Sequence, residues 1–144
     1  LHLVIKLSDV FLINHEEAAQ FLGESNIEKA AQRLLEMGPR VVVVKMGSRG
    51  SYVAQKDGCS FVPAYSVKKL FDPTGAGDAF AGGFMGYLSQ TSKPNFIEAA
   101  IVGTAMASFC VEGFGLESLL NVSRDKLKGR IAVIRQNMGV VEGD

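Results

Sequence analysis

Residues 10–44 read VFLINHEEAAQFLGESNIEKAAQRLLEMGPRVVVV, and this stretch decides the fold. Residues 10–13 are an apolar run ended by Asn14, the pattern of a strand buried on both faces, and residues 16–22 read as a short helix closed by Gly23. Ser25 and Glu28 have capping-box spacing; Ile27, Ala30, Ala31, Leu34 and Leu35 then fall on one face of a helix that Gly38-Pro39 stops. Residues 41–44 are four valines, a β-branched run expected to return as a strand parallel to the first through the helical crossover.

Working outward, residues 1–7 run straight into a strand pattern with no opening turn or cap, and Leu1 is not methionine, so a fragment of a longer chain is expected. Between residues 51 and 62, two strand-like pieces flank Lys56-Asp57-Gly58, a hairpin-turn signal that predicts an antiparallel ribbon at the sheet edge. Three helical patterns follow. The first covers residues 75–88; the second covers 96–111, with Asn95 as its cap and Glu98 in third place. The third starts after Ser123, puts Leu127, Ile131 and Ile134 on one face and ends near Gly139. With no internal repeat or long linker, the expected class is α/β: a layered, mostly parallel sheet flanked by helices over residues 1–138, with 139–144 as a frayed tail.

Composition narrows the function. Fifteen basic residues against fifteen acidic ones give no net charge, so neither nucleic acid nor an anionic membrane is expected as a bulk electrostatic partner, and any anion site must be local. Cys59 and Cys110 form no CxxC pair, and His2 and His15 lack zinc-motif spacing, which fits a reducing, cytoplasmic setting. The apolar stretch at 99–111 is shorter than the roughly 20 residues that span a bilayer, so no membrane partner is expected.

The chemistry concentrates in residues 72–84, Asp-Pro-Thr-Gly-Ala-Gly-Asp-Ala-Phe-Ala-Gly-Gly-Phe. Gly75, Ala76 and Gly77 lie between an extended segment and a helix, where glycine lets backbone amides turn toward an anion. No Gly-Lys-Ser/Thr step makes a Walker A loop, and Phe80 stands where a dinucleotide fingerprint needs Gly or Ala. Asp78 lies in the first helical turn beside those amides. The amides can hold transferring phosphoryl oxygens while the carboxylate accepts the proton of an incoming hydroxyl. The residues alone leave another reading open: Thr74 as helix cap, the glycines as a tight turn, and Asp78 as a complement to the helix dipole.

The thirteen-residue string resembles the C-terminal signature of the ribokinase-like (PfkB) family of carbohydrate and nucleoside kinases. Asn14-His-Glu-Glu17 resembles that family's Asn-x-x-Glu motif, and Lys45-Met-Gly47-Ser48-Arg49-Gly50 resembles its strand-end loop that reaches ATP. The resemblance runs from about residue 10 to 135 and covers only the C-terminal half of such an enzyme. It implies Asp78 as catalytic base, Gly75, Ala76 and Gly77 as anion hole, and ATP contacts from Gly47, Ser48 and Gly50. Second-rank nucleotide contacts would come from Gly103, Ala107 and the loop Glu112-Gly113-Phe114-Gly115. The resemblance further implies that Asn14 and Glu17 order Mg2+ and its waters, although the same pair has ordinary capping-box spacing. A monovalent cation such as K+ near Asp72 and Thr74 is a further implication.

Three functions follow as expectations. The first is ATP-dependent phosphorylation of a hydroxyl on a sugar or nucleoside. The second is a nucleotide-binding or oligomerising module without turnover, because the half that supplies most sugar contacts in relatives is missing; an exposed sheet edge would favour a homodimer. The third, a dinucleotide-binding oxidoreductase fragment, suffers from Phe80 and from the lack of a convincing acidic ribose ligand.

Overall fold

The computed structural model describes residues 1–68, 74–113 and 122–141. Two compact units divide the chain, one over Leu1–Phe61 and one from Val62 onward. The first unit contains α1 (His2–Leu7), β1 (Val10–Asn14), α2 (His15–Leu22), α3 (Ile27–Glu36), β2 (Val41–Lys45), a 3-10 turn at Gly47–Arg49, β3 (Ser51–Gln55) and β4 (Gly58–Val62), whose last residue opens the second unit.

The sheet order is β1-β2-β3-β4. β1 and β2 run parallel, with Val10 opposite Val41 and Asn14 opposite Lys45, as the crossover requires. β2 and β3 are antiparallel, with Val43 opposite Val53. Only Lys56 and Asp57 separate β3 from β4, so these hydrogen-bonded neighbours are antiparallel, since a parallel pair needs a crossover of about a dozen residues. The sheet is therefore mixed, parallel in the crossover unit and antiparallel from β2 to the β4 edge.

α3 follows from its sequence. Ala30, Ala31 and Leu34 are buried on one face and pack with Val42 and Val44 of β2, while Ile27 and Leu35 border the same core. Its cap is one residue later than expected: Asn26, not Ser25, accepts from the Lys29 amide at 2.9 Å, and the Glu24 carboxylate accepts from the Asn26 amide. Asn and Ser are near-equal caps, so residue type alone does not choose between them.

Residues 1–7 depart from the expected strand. They form the helix α1, because a short run apolar at almost every position carries no periodicity to separate helix from strand. Tertiary contact settles it: Ile5 is buried in the core with Ile13 and Leu34. The Lys6 backbone passes so close to Gly38 that an added Cβ there would lie 2.6 Å from the Lys6 carbonyl. β1 is also less covered than expected, since only Ile13 is buried while Val10, Phe11 and Leu12 are half-buried.

The second unit holds α4 (Ala76–Ser89), α5 (Phe96–Glu112) and α6 (Arg124–Val141). Asn95 accepts from the Glu98 amide at 3.0 Å and Ser123 from the Lys126 amide at 3.1 Å, so α5 and α6 begin where their caps predict. α6 runs to Val141, past the expected end near Gly139, with Ile134 buried and Leu127 and Ile131 half-buried on its inner face. Arg135 of α6 grips the Glu98 carboxylate of α5 with Nε and Nη2.

Candidate active site

The N-terminus of α4 is built differently from its capped neighbours. Asn14, Asn26 and Asn95 each cap a helix through a side-chain oxygen, whereas α4 starts on Gly75 with no side-chain cap. Gly75 adopts the left-handed conformation (φ 84°), which costs a residue with a Cβ more. Its carbonyl accepts from the Ala79 amide at 2.9 Å, so the helix closes normally behind it. Ala76, Gly77 and Asp78 are then the first three helical residues, whose amides have no intrahelical acceptor. Thr74 is not the cap, because that position belongs to Gly75. Asp78 is exposed at the third helical position. First-turn amides and the helix dipole favour an anion, and a carboxylate stands on the same turn.

α5 supports this turn from below. Cys110, 2% exposed, donates its thiol to the Thr74 carbonyl at 3.5 Å, and its Sγ would lie 3.6 Å from a Cβ at Gly75. Further along, α4 and α5 cross at two glycines: a Cβ on Gly103 would lie 2.7 Å from the Phe80 carbonyl, and one on Gly83 would lie 3.0 Å from the Gly103 Cα. Gly103 thus serves the helix crossing. Ala107 is half-buried on α5, and Gly113 ends the helix in extended backbone. Asp72, Phe114 and Gly115 lie outside the described residues.

In the first unit, a second group gathers where β1 and β2 end. Asn14 and Lys45 are register partners at the carboxyl ends of the two parallel strands, the end at which ligands bind in open α/β sheets. The capping box expected for Asn14 and Glu17 is formed: Asn14 Oδ1 accepts from the Glu17 amide at 2.7 Å, and Glu17 Oε1 accepts from the Asn14 amide at 3.5 Å. Both side chains are exposed, and a carboxylate that accepts one hydrogen bond retains further lone pairs. Oxygen donors of this kind suit a largely hydrated Mg2+. Gly47, Ser48 and Gly50 follow β2 in a compact loop, closed by a 2.8 Å bond from the Met46 amide to the Gly50 carbonyl. Gly47 and Gly50 have φ of 60° and 101°.

The structure therefore brings Asn14, Glu17 and the 47–50 loop to one sheet end, and Thr74, Gly75, Ala76, Gly77 and Asp78 to one helix start. It also adds residues that sequence reading passed over. His15 places Nδ1 3.3 Å from the Lys45 carbonyl, and Cys110 supports the glycine turn. Nothing in the sequence marks Cys110, because a cysteine in an apolar helix reads as core. Among the described residues, no group of three or more His, Cys, Asp or Glu side chains converges, and no helix is long and apolar enough to cross a membrane.

Comparison with known proteins gives this geometry its context. The chain is 36% identical over 123 residues to an uncharacterized sugar kinase of Archaeoglobus fulgidus, an alignment covering 85% of this chain and 47% of that protein. Aminoimidazole riboside kinase from Salmonella enterica, solved with aminoimidazole riboside and an ATP analog, superposes with a TM-score of 0.79 at 26% identity, covering 90% of this chain and 44% of that one. Fructokinase from Vibrio cholerae O395, solved with fructose, ADP and calcium ion, gives 0.79 at 27% identity, with 89% and 42% covered. The chain spans less than half the length of these relatives. Residues 1–121 match the profile of the pfkB family carbohydrate kinases, and the chain belongs to that family.

Proposed function

We propose that this chain carries the nucleotide-binding and catalytic part of an ATP-dependent kinase that phosphorylates a hydroxyl of a sugar or nucleoside. The observation that carries this reading is the start of α4, where first-turn amides without a side-chain cap share one turn with the Asp78 carboxylate. An acceptor hydroxyl placed beside Asp78 gives its proton to the carboxylate as its oxygen bonds to the γ-phosphorus. The bond from that phosphorus to the β–γ bridging oxygen breaks, and ADP leaves. Amides of the Gly75-Ala76-Gly77 turn stabilise the phosphoryl oxygens as charge shifts among them. Mg2+ bound with the nucleotide would neutralise charge on the β- and γ-phosphates, and Asn14 and Glu17 suit it through water. Gly47, Ser48 and Gly50 are assigned to the nucleotide, by their place after a parallel strand.

The test is phosphate transfer from ATP with Mg2+ to a panel of sugars and nucleosides by the full-length gene product. Transfer to at least one acceptor supports the reading. Tight ATP binding with no transfer to any acceptor would leave a nucleotide-binding module instead.

The double use of Glu17 can be separated by one substitution. Glu17→Gln keeps a residue that serves in a capping box but removes the charge. It is expected to raise the Mg2+ concentration needed for half-maximal transfer several-fold, with the melting temperature lowered by no more than a few degrees for the lost first-turn charge. Asn14→Ala, by contrast, removes the cap and should cost about 1 kcal/mol of stability. An unchanged Mg2+ requirement in Glu17→Gln would leave the pair with capping alone.

A further inference from the structure

Arg130 lies on α6, beyond the residues 1–121 that match the family profile, yet its guanidinium reaches the last turn of α5. Nη1 donates to Ser108 Oγ at 2.8 Å and Nη2 to Glu112 Oε2 at 2.6 Å. The guanidinium carbon stands 3.7 Å from the Phe109 ring centroid and 4.5 Å from that of Tyr65. Its side chain is 15% exposed. A planar cation held between two rings with a forked pair of acceptors has one well-defined position, which neither a lysine nor an apolar side chain reproduces.

The surroundings give the arrangement a purpose. The last turn of α5 holds no basic residue and ends on Glu112, a charge that the carbonyl end of a helix disfavours. Arg130 supplies the compensating cation from another helix. The Ser108 hydroxyl donates to the Ala105 carbonyl at 2.6 Å, so its oxygen is turned to accept from Arg130. Tyr65 belongs to the segment between β4 and α4, so one side chain ties that segment, the end of α5 and α6 together. A cleft of about 380 Å³ opens there, lined by Tyr65, Ser66, Lys68, Glu112 and Arg130.

We infer that Arg130 is a positioning residue for nucleotide binding: by holding Glu112 and the end of α5 it sets where Gly113 stands, and so tunes ATP affinity without touching the reacting atoms. The inference rests on the kinase reading and on Gly113 as a nucleotide contact. In the full-length gene product, Arg130→Met is expected to raise the Kd and KM for Mg-ATP roughly tenfold, as residues acting through a neighbour do. The KM for the acceptor and kcat at saturating ATP should stay within about twofold, because the lost interaction is one of nucleotide binding. Arg130→Lys should not rescue ATP affinity, and adding Glu112→Gln to Arg130→Met should weaken it no further.

A lower melting temperature with unchanged ATP affinity would reduce Arg130 to a structural brace and overturn the inference alone. Should Arg130→Met fail to fold, Glu112→Ala removes the charged acceptor through which Arg130 holds the end of α5, and unchanged ATP affinity there overturns it equally. A wild-type protein that binds no Mg-ATP in the same titration overturns the kinase reading and the inference with it.

Discussion

Replacing Asp78 by asparagine is expected to lower kcat of the full-length gene product by about 10²- to 10⁴-fold, the usual range for a positioned general base. The substitution preserves shape but removes the group that takes the hydroxyl proton. Its cost falls on the transition state, at about 1.4 kcal/mol per tenfold, and leaves ground-state nucleotide binding in place, so the KM for ATP should change little. Asp78 is exposed at the third position of α4, where an acid is favoured by the helix dipole by about 0.3–1 kcal/mol. The melting temperature should therefore fall by no more than a few degrees, which separates lost chemistry from lost fold. Steady-state kinetics beside a thermal melt measure both. Turnover equal to wild type would remove Asp78 from the mechanism and return it to the role of a helix-start acid.

Gly103→Val is expected to cause the largest loss of stability among single changes at the α4–α5 crossing. A Cβ at this position would lie 2.7 Å from the Phe80 carbonyl and 3.1 Å from the Phe80 Cδ2. The carbonyl belongs to the α4 backbone and cannot rotate away, so the helices must separate or bend. Overpacking of this kind costs about 1–3 kcal/mol and occasionally more, which for a chain of this size lowers the melting temperature by roughly 5–10 °C. Phe80 is two residues beyond Asp78 on the same helix, so a displaced α4 also carries the proposed base away from its acceptor, and kcat should fall in whatever fraction remains folded. Gly82→Ala is the control: an added Cβ there meets nothing within 4 Å, and alanine favours a helix over glycine by about 1 kcal/mol. That variant should melt at or slightly above wild type. Equal melting of Gly103→Val and wild type would mean that the crossing is looser than its geometry implies.

Both expectations concern α4, yet they reached view by different routes. The place of Asp78 at a helix start was legible because glycines, a carboxylate and a helix start are all local, and local backbone geometry follows from residue type over a few positions. Asn14 and Glu17 were legible as a capping box for the same reason, and the structure forms that box. α3, α5 and α6 also announced themselves, through the 3.6-residue period or through their caps.

The sequence by itself thus determined the βαβ unit, the hairpin after it, the three later helices and the glycine turn that starts α4, since each is a matter of periodicity, capping or turn chemistry within a short window. Tertiary structure alone decided the rest. It made residues 1–7 a helix by burying Ile5 and gave Gly103 to the crossing with α4. It also put Cys110 beneath Gly75 and closed the Arg130 fork on Ser108 and Glu112. These choices depend on pairs that lie up to 36 residues apart, such as Cys110 with Thr74. No local pattern encodes which two segments meet, because what selects them is the packing of whole elements against one another.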